Sequence, residues 1–547
     1  MLTIHLTIVV FLPVVAALIG ALLPERIGRW VVVAGSVAVL GYAIAMIADF
    51  GAGTTGMHYV TDAEWIPELG IRYQLGVDGL NLFLIALTAL LWVAAMVWSA
   101  VRETERQKLF LFHMALAETA VLGAFLAQDL ALFVLFFDLM LVPFYFLIGG
   151  WGQGDRVAAT TKFVIYTLVG SLLMLAGAVA LGVLTASHSG NDLSFSIAEL
   201  AANPLPEGSQ QWIFLLFALA FLVKAPAFPF HGWVVDTYRA TPIPVLVCLS
   251  AVLSKVGVYA FLRIVLPTMP DASVHFQDLI LVIAVFSILY GSVLAFSQDE
   301  PRLVLAYSSI AQLGFITLGI FAIDDLGSQG AVMQMVNHGL VVGALLFVIA
   351  VLTARAGGSP TLAQMGGIAL RAPVLAALFL IVTLATLAMP GSPNFVGEIL
   401  ILFGALEDKI VFGLIASLGV ALAAVYAIRL FQKSMHNRVG PGVGGGDVGA
   451  LDFGLIAPIA AVIVALGVYP QLVLERTEDA TTAQIAAAAE LTDDGTAERA
   501  NQMREPTGET GDGEHSEAHF SIQKTAPAQQ TQTQVTIGPG GETEVAP

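Results

Sequence analysis

Fourteen apolar stretches, each close to the length of one bilayer crossing, leave this chain little choice of fold. A helix needs about 20 apolar residues to cross the hydrocarbon, and in lipid every backbone polar group must find its partner within the protein. Such stretches fall at about 3–23, 29–50, 79–101, 109–127, 129–149, 158–186, 211–239, 243–266, 276–297, 302–322, 328–354, 372–407, 410–434 and 451–473. Hydrophobic residues make up 57% of the 547 and charged ones 12%, which excludes an ordinary soluble domain. The expected fold class is an all-α polytopic membrane protein of about 14 transmembrane helices. The run from Ile4 to Leu23 has no basic segment before it, so it reads as a retained first helix rather than a signal peptide.

Lysine and arginine are unevenly shared between alternate connections. Fourteen lie after odd-numbered runs, from Arg26 to Arg438, and three after even-numbered ones (Arg72, Arg263 and Lys409). Connections rich in Lys and Arg stay in the cytoplasm, so odd-numbered helices are expected to end there and both termini to lie outside. The net charge of −18 is largely a property of the end of the chain. From Glu475 onward 14 acids face 4 bases, which is −10 and leaves −8 for the rest. That balance argues against nucleic acid as a partner. The single cysteine, Cys248, sits in an apolar run and reads as a small buried hydrophobe. No Cys or His set has metal-ligand spacing, which argues against iron–sulfur clusters and structural zinc.

Two of the runs carry prolines that break a helix. Pro226 and Pro229 interrupt the seventh and Pro390 and Pro393 the twelfth, because each proline lacks a donor and clashes with the preceding turn. The copies are five helices apart, so they cross the membrane in opposite directions. Inverted repeats with discontinuous helices in matching places point to an ion pathway.

The charges near these breaks carry the chemistry. An intramembrane charge costs roughly 2.5–3.5 kcal/mol, so each is a functional-site hypothesis. Lys224 ends the first half of the seventh run, where the helix dipole favours a cation, and Glu398 begins the second half of the twelfth, where it favours an anion. Asp138, the only charge inside the fifth run, needs a cationic partner, and Lys224 is the candidate. Lys255 in the eighth run is a second buried amine, and His338 in the eleventh is placed to bridge Lys255 and Glu398 as a neutral relay. A histidine bonded to a helix carbonyl is the bland alternative. His231 and Asp236 flank Trp233 after the first break and serve either structure or proton uptake. Glu118 and His113 in the fourth run are secondary candidates, the former open to a purely local pairing.

Five ordered motifs then bring a family into view: Val223-Lys-Ala-Pro-Ala-Phe-Pro-Phe-His-Gly-Trp, Leu253-Ser-Lys-Val-Gly-Val-Tyr, Ala306-Tyr-Ser-Ser-Ile, Asn337-His-Gly-Leu and Pro393-Asn-Phe-Val-Gly-Glu. Over roughly residues 1–475 the chain resembles the antiporter-like membrane subunits of respiratory complex I. The resemblance implies two inverted five-helix repeats, each with a proton half-channel, joined by a central line of charges. It implies that Asp138 stands at the helix-five glutamate, Lys224 at the pumping lysine, Lys255 at the connecting lysine, His338 at the helix-eleven histidine and Glu398 at the helix-twelve acid. Sibling subunits usually place lysine at that last position. Three departures stand out. Asp138 is one methylene shorter than the family's glutamate. Gln312 occupies a place where several relatives carry histidine. Asp236-Thr-Tyr-Arg-Ala-Thr-Pro242 replaces a usual Asp-Ala-His-x-Glu-Ala-Pro.

The implied function is proton translocation driven by NADH-to-quinone electron transfer in other subunits of the complex. No cofactor is expected in this chain; NADH, FMN, iron–sulfur clusters and quinone belong to partner subunits. The implied partners are other membrane-arm subunits, including sibling antiporter-like ones, and lipid, with no metal. The implied location is the bacterial inner membrane. The rivals are a subunit of a multisubunit cation/proton antiporter or membrane-bound hydrogenase, a non-pumping scaffold, and a small-molecule symporter. Glu398 argues against the antiporter, the buried charges against a scaffold, and the lack of a polar substrate cavity against a symporter. The expected division is 1–108 for helices one to three, 109–266 and 276–434 for the repeats, 451–473 for the last helix and 475–547 for an acidic, disordered tail. Gly440–Gly449 reads as a flexible linker, and His515 and His519 as part of the solvated tail.

Overall fold

A computed structural model describes residues 4–102 and 104–504, with side chains to residue 492. A helix occupies every one of the predicted runs. Eleven of these helices are long and apolar enough to cross a membrane, among them Gly79–Val101, Gln107–Leu126, Leu130–Trp151, Ile243–Thr268, Pro301–Phe321 and Asp325–Arg355. The other three runs are the 17-residue Leu6–Leu22 and the two broken ones. We call these helical runs spans and number them in chain order.

Contacts between connections sort them into two faces. On one, Lys108 Nζ donates to the Leu23 carbonyl, Lys162 pairs with Asp236, Arg239 with Glu300, Arg102 with Asp452 and Arg429 with Asp299. Each of these residues lies where an odd-numbered span ends or an even-numbered one starts. On the other face the Arg72 amide donates to Asp129, Gln210 to Asp271, Lys409 pairs with Asp278 and Arg476 donates to the Phe50 carbonyl. No such pair in either set joins an odd connection to an even one, which is what strict alternation requires. The first set marks the face that carries the basic connections.

Burial divides the spans into an inner and an outer group. Ile243–Thr268 is buried over the whole of its apolar window, and Pro301–Phe321 and Asp325–Arg355 over 94% of theirs. For Ile410–Met435 and Ala450–Val468 the share is 33%. Lys255 and His338 sit on the inner spans, where a long side chain has no surface to reach.

Both breaks form, and protein groups satisfy the backbone that they free. Span seven is helical over Glu207–Lys224, stops at the prolines, and resumes through Phe230–Trp233 into Val234–Ala240. Trp233 Nε1 donates to the Val223 carbonyl at 3.0 Å, and the Phe228 amide to Ser287 Oγ at 2.9 Å. Span twelve runs Pro373–Thr386 and Pro393–Asp408. Asn337 Nδ2 of span eleven donates to the Pro393 carbonyl at 2.7 Å, and Ser392 Oγ accepts from the Phe395 amide. Broken backbone at this depth is tolerated only where protein or a polar cavity surrounds it.

Three features differ from the sequence expectation or go beyond it. Residues 58–77 form an antiparallel hairpin, β1 (His58–Ile66) and β2 (Ile71–Val77), which no apolar run foretells. Its Gly70 has φ +62°, and a Cβ there would meet the Leu193 carbonyl at 1.8 Å, so both the turn and the packing call for glycine. The tail expected to be disordered from 475 begins instead as a helix, Gln471–Arg504. Val473, Thr477, Thr481, Ile485 and Ala488 are buried along it at helical spacing, a narrow stripe in a segment of low mean hydropathy. The compact body ends at Thr496, and residues 497–504 complete that helix. The rest of the expected tail, with His515 and His519, lies outside the described residues. The Gly440–Gly449 linker is tied down: Arg355 donates to the Gly446 and Asp447 carbonyls and Arg371 to that of Val443. The Asp447 carboxylate caps Pro373–Thr386, accepting from the Val374 amide at 2.8 Å and the Leu375 amide at 3.1 Å. Burial by itself raises the Asp447 carboxyl, but those amides, that of Val448 and the Arg355 guanidinium outweigh it and hold the group below the usual carboxylate range.

Candidate functional site

Lys224 closes the first half of span seven, where the last turn leaves carbonyl dipoles pointing at it. Its side chain is buried, and Nζ lies 4.3 Å from the centroid of the Phe137 ring, within cation–π range. Asp138 follows Phe137 at the end of Leu130–Leu139, just before span five is interrupted at Met140. Among the described residues Lys224 and Asp138 do not come within ion-pair distance, and Asp138 Oδ1 has no partner. Phe137 was not foreseen from the sequence; its place beside Asp138 was the only signal.

Gly257 lets span eight approach the end of span seven. A Cβ there would meet the Phe221 carbonyl at 2.8 Å and Lys224 Cβ at 3.2 Å. Two residues earlier, Lys255 Nζ donates to the Ser250 carbonyl at 2.9 Å and to Ser254 Oγ at 3.4 Å. Span eight is π-helical over Leu249–Leu253 and again over Phe261–Val265, a distortion frequent at functional sites. His338 is buried on span eleven with both ring nitrogens unpartnered, so the helix-carbonyl alternative does not hold for it.

Glu398 lies in the second turn of Pro393–Asp408, fully enclosed. Its Oε1 accepts from Gln312 Nε2 at 2.9 Å and from Gln334 Nε2 at 3.4 Å, and Gln334 also donates to Gln312 Oε1 at 2.7 Å. Its Oε2 is unpartnered. Gln312 therefore touches the carboxylate as an amide donor. Gln334 escaped the sequence reading because a lone glutamine in an apolar run has no distinctive pattern.

The remaining candidates each have a nearby partner of their own. Glu118 accepts from Ser36 Oγ at 2.6 Å, its other oxygen unpartnered. His113 Nδ1 is 2.7 Å from the Leu109 carbonyl, a local helix contact. His231 Nε2 is 3.2 Å from Tyr290 OH. Asp236 is half-exposed in its ion pair with Lys162 and lines a cavity of about 570 Å³ on the basic face, with Arg239, Glu300 and Arg302. At the opposite face Arg263 pairs with Asp78 at 2.6 Å and donates to Tyr259 OH, both charges buried. That pair fixes the ends of spans three and eight and was also missed, although Arg263 is conspicuous in an apolar run.

A transmembrane family described as NADH:quinone oxidoreductase/Mrp antiporter matches residues 127–423. NADH-quinone oxidoreductase subunit M of Rhodobacter capsulatus is 34% identical over 485 residues, covering 86% of this chain and 94% of its own length. Subunit M of Mycobacterium tuberculosis H37Rv is 34% identical over 511 residues, covering 86% and 92%. A chain of respiratory complex I from Thermus thermophilus with bound NADH superposes with a TM-score of 0.79 at 31% identity, covering 88% of this chain and 99% of that one. A chain of the Mrp complex from Dietzia sp. DQ12-45-1b reaches 0.77 at 21% identity over 90% and 99%, a likeness of fold. With a family match over more than half its length and subunit M relatives at this identity and coverage, the chain belongs to the NADH:quinone oxidoreductase/Mrp antiporter transmembrane family.

Proposed function

We propose that this chain is a proton-translocating subunit in the membrane arm of an NADH:quinone oxidoreductase, part of an enzyme whose redox chemistry takes place in partner subunits. NADH, FMN, iron–sulfur clusters and quinone belong to those partners, and sibling antiporter-like subunits flank this one in a bacterial inner membrane. The basic face is cytoplasmic, both termini are external, and residues 109–266 and 276–434 form the two inverted repeats. One observation carries the reading: Lys224, Lys255 and Glu398 are buried on spans seven, eight and twelve, and among the described residues none is in an ion pair. Leaving charges without counter-charges is costly in a structural role and necessary in a group that must gain and lose a proton.

The path begins at Lys224, whose amine rests on Phe137 with Asp138 beyond ion-pair distance. An approaching carboxylate favours the charged amine, and its withdrawal releases the proton. The proton passes to Lys255, across His338, and to the free Oε2 of Glu398, which the two glutamines hold by its other oxygen. His231, Asp236 and Glu118 are secondary members, Asp236 at the cavity on the basic face. The deciding experiment is Lys224→Ala in a complex assembled to the wild-type level. Proton-coupled quinone reduction should fall by at least about tenfold, a barrier increase of roughly 1.4 kcal/mol; wild-type proton pumping would overturn the reading.

A further inference from the structure

Glu398 is held through two amides in series, and chemistry fixes the order of the links. An ionised carboxylate only accepts hydrogen bonds, so the Gln312 amide of span ten turns its Nε2 toward Glu398 Oε1, at 2.9 Å. Gln312 Oε1 is then left as an acceptor, and Gln334 Nε2 of span eleven donates to it at 2.7 Å. The direct contact from Gln334 Nε2 to Glu398 Oε1 is the longest of the three, at 3.4 Å. Gln334 therefore acts on the carboxylate chiefly through Gln312. Glycine confines it there. A Cβ on Gly397 would meet Gln334 Oε1 at 2.6 Å and Gln334 Cβ at 3.1 Å, and one on Gly330 would meet the Ile401 amide nitrogen at 2.7 Å. Spans eleven and twelve approach closely at this level because those positions carry no side chain, and Gln334 is wholly buried in the seam. It lies one turn before His338 on the same helix.

We propose that Gln334 is a positioning residue for Glu398: by donating to Gln312 it locks that amide with its N–H toward the carboxylate, and so leaves Oε2 as the oxygen that takes and gives up the proton. Without that donor the Gln312 amide is free to turn over. Its carbonyl would then face the acid, an arrangement that suits the protonated form, whose O–H can donate, and repels the carboxylate. Gln334 thus favours the state of Glu398 that has released its proton. Few other groups compete at this level. On the helices packed against Pro393–Asp408 the buried titratable side chains are His338 of span eleven and Tyr426 of span thirteen, and the Tyr426 hydroxyl accepts from Ser308 Oγ at 2.8 Å. Arg302, Arg429 and Asp452, on spans ten, thirteen and fourteen, lie at the basic face in bonds of their own.

This inference rests on the proposed proton pathway, and the test reads Glu398 without relying on pumping. In complexes assembled to the wild-type level, the carboxylic acid C=O infrared band that Glu398→Gln removes is titrated with pH. Gln334→Met keeps the length of the side chain and removes the donor. It should raise the midpoint of that band by about one pH unit, a gain in proton affinity of about tenfold. The acid limb of proton-coupled quinone reduction should move upward with it, because Glu398 then holds its proton to higher pH. Gln312→Met should shift the midpoint at least as far, and adding Gln334→Met to it should shift it little more. An unchanged midpoint in Gln334→Met, whatever its activity, would reduce Gln334 to packing and overturn the proposal, as would full additivity of the two shifts. Gln334→Asn, which withdraws the amide by one carbon, takes its place if the methionine variant does not assemble, and failure of both to assemble would equally mark a packing residue. Should Glu398→Gln remove no band and pump as the wild type does, the pathway itself is wrong; should the band be present with a midpoint indifferent to Gln334, only the positioning role is.

Discussion

At the scale of single residues, two acids on one helix carry opposite expectations. Glu398 is enclosed, with one oxygen held by two amides and the other free, whereas Glu407 lies nine residues on, in the last turn of Pro393–Asp408. Replacing glutamate by glutamine keeps size and hydrogen bonding and removes titration. Glu398→Gln should lose most proton-coupled activity, by about tenfold or more, and Glu407→Gln should keep it. The check is pumping per quinone reduced in membranes with matched amounts of complex; equal activity would make Glu398 structural. Asp138 belongs to the same scale. Its shorter side chain was legible in the sequence, while the aromatic face beside the Lys224 amine could only be seen once spans five and seven were packed.

At the scale of elements, the proline breaks were legible because proline acts through its own backbone, whatever surrounds it. The bonds that make the breaks tolerable come from distant spans: Trp233 and Ser287 for the first, Asn337 for the second. The close contact between spans seven and eight depends on Gly257. Gly257→Ala would press a methyl against the Phe221 carbonyl, an overpacking that costs typically 1–3 kcal/mol, and would shift Lys224 with it. The amount of assembled complex and its thermal stability should both fall, and unchanged values would mean that the helices part without cost. The tail was misread at this scale. Its polar and alanine-rich composition lowers the hydropathy, yet Val473, Thr477, Thr481, Ile485 and Ala488 make one narrow buried stripe that docks the helix.

At the scale of the whole molecule, the sorting of inter-loop contacts into two faces and the distribution of Lys and Arg lead to one topology. Reporter fusions after Arg106 and Arg438 should read cytoplasmic, and fusions after Asn203 external. A chain cut before Gln471 should fail to assemble, because Arg476 and Gln329 would lose their bonds to Phe50 and Leu474, whereas a cut after residue 504 should be tolerated. Assembly of the shorter chain at the wild-type level would show that the last helix is dispensable.

The sequence by itself determined the helical class, the alternation of faces, the two breaks and the positions of the buried charges. These follow from local properties: runs of apolar residues, proline chemistry and the cost of a charge in hydrocarbon. Only the tertiary structure decided what each charge touches. That Lys224 rests on Phe137 and that two glutamines hold Glu398 depend on residues far apart in the chain. A single sequence carries the cost of a buried charge at its own position, but the side chains that offset that cost come from other helices and meet it only when the bundle packs.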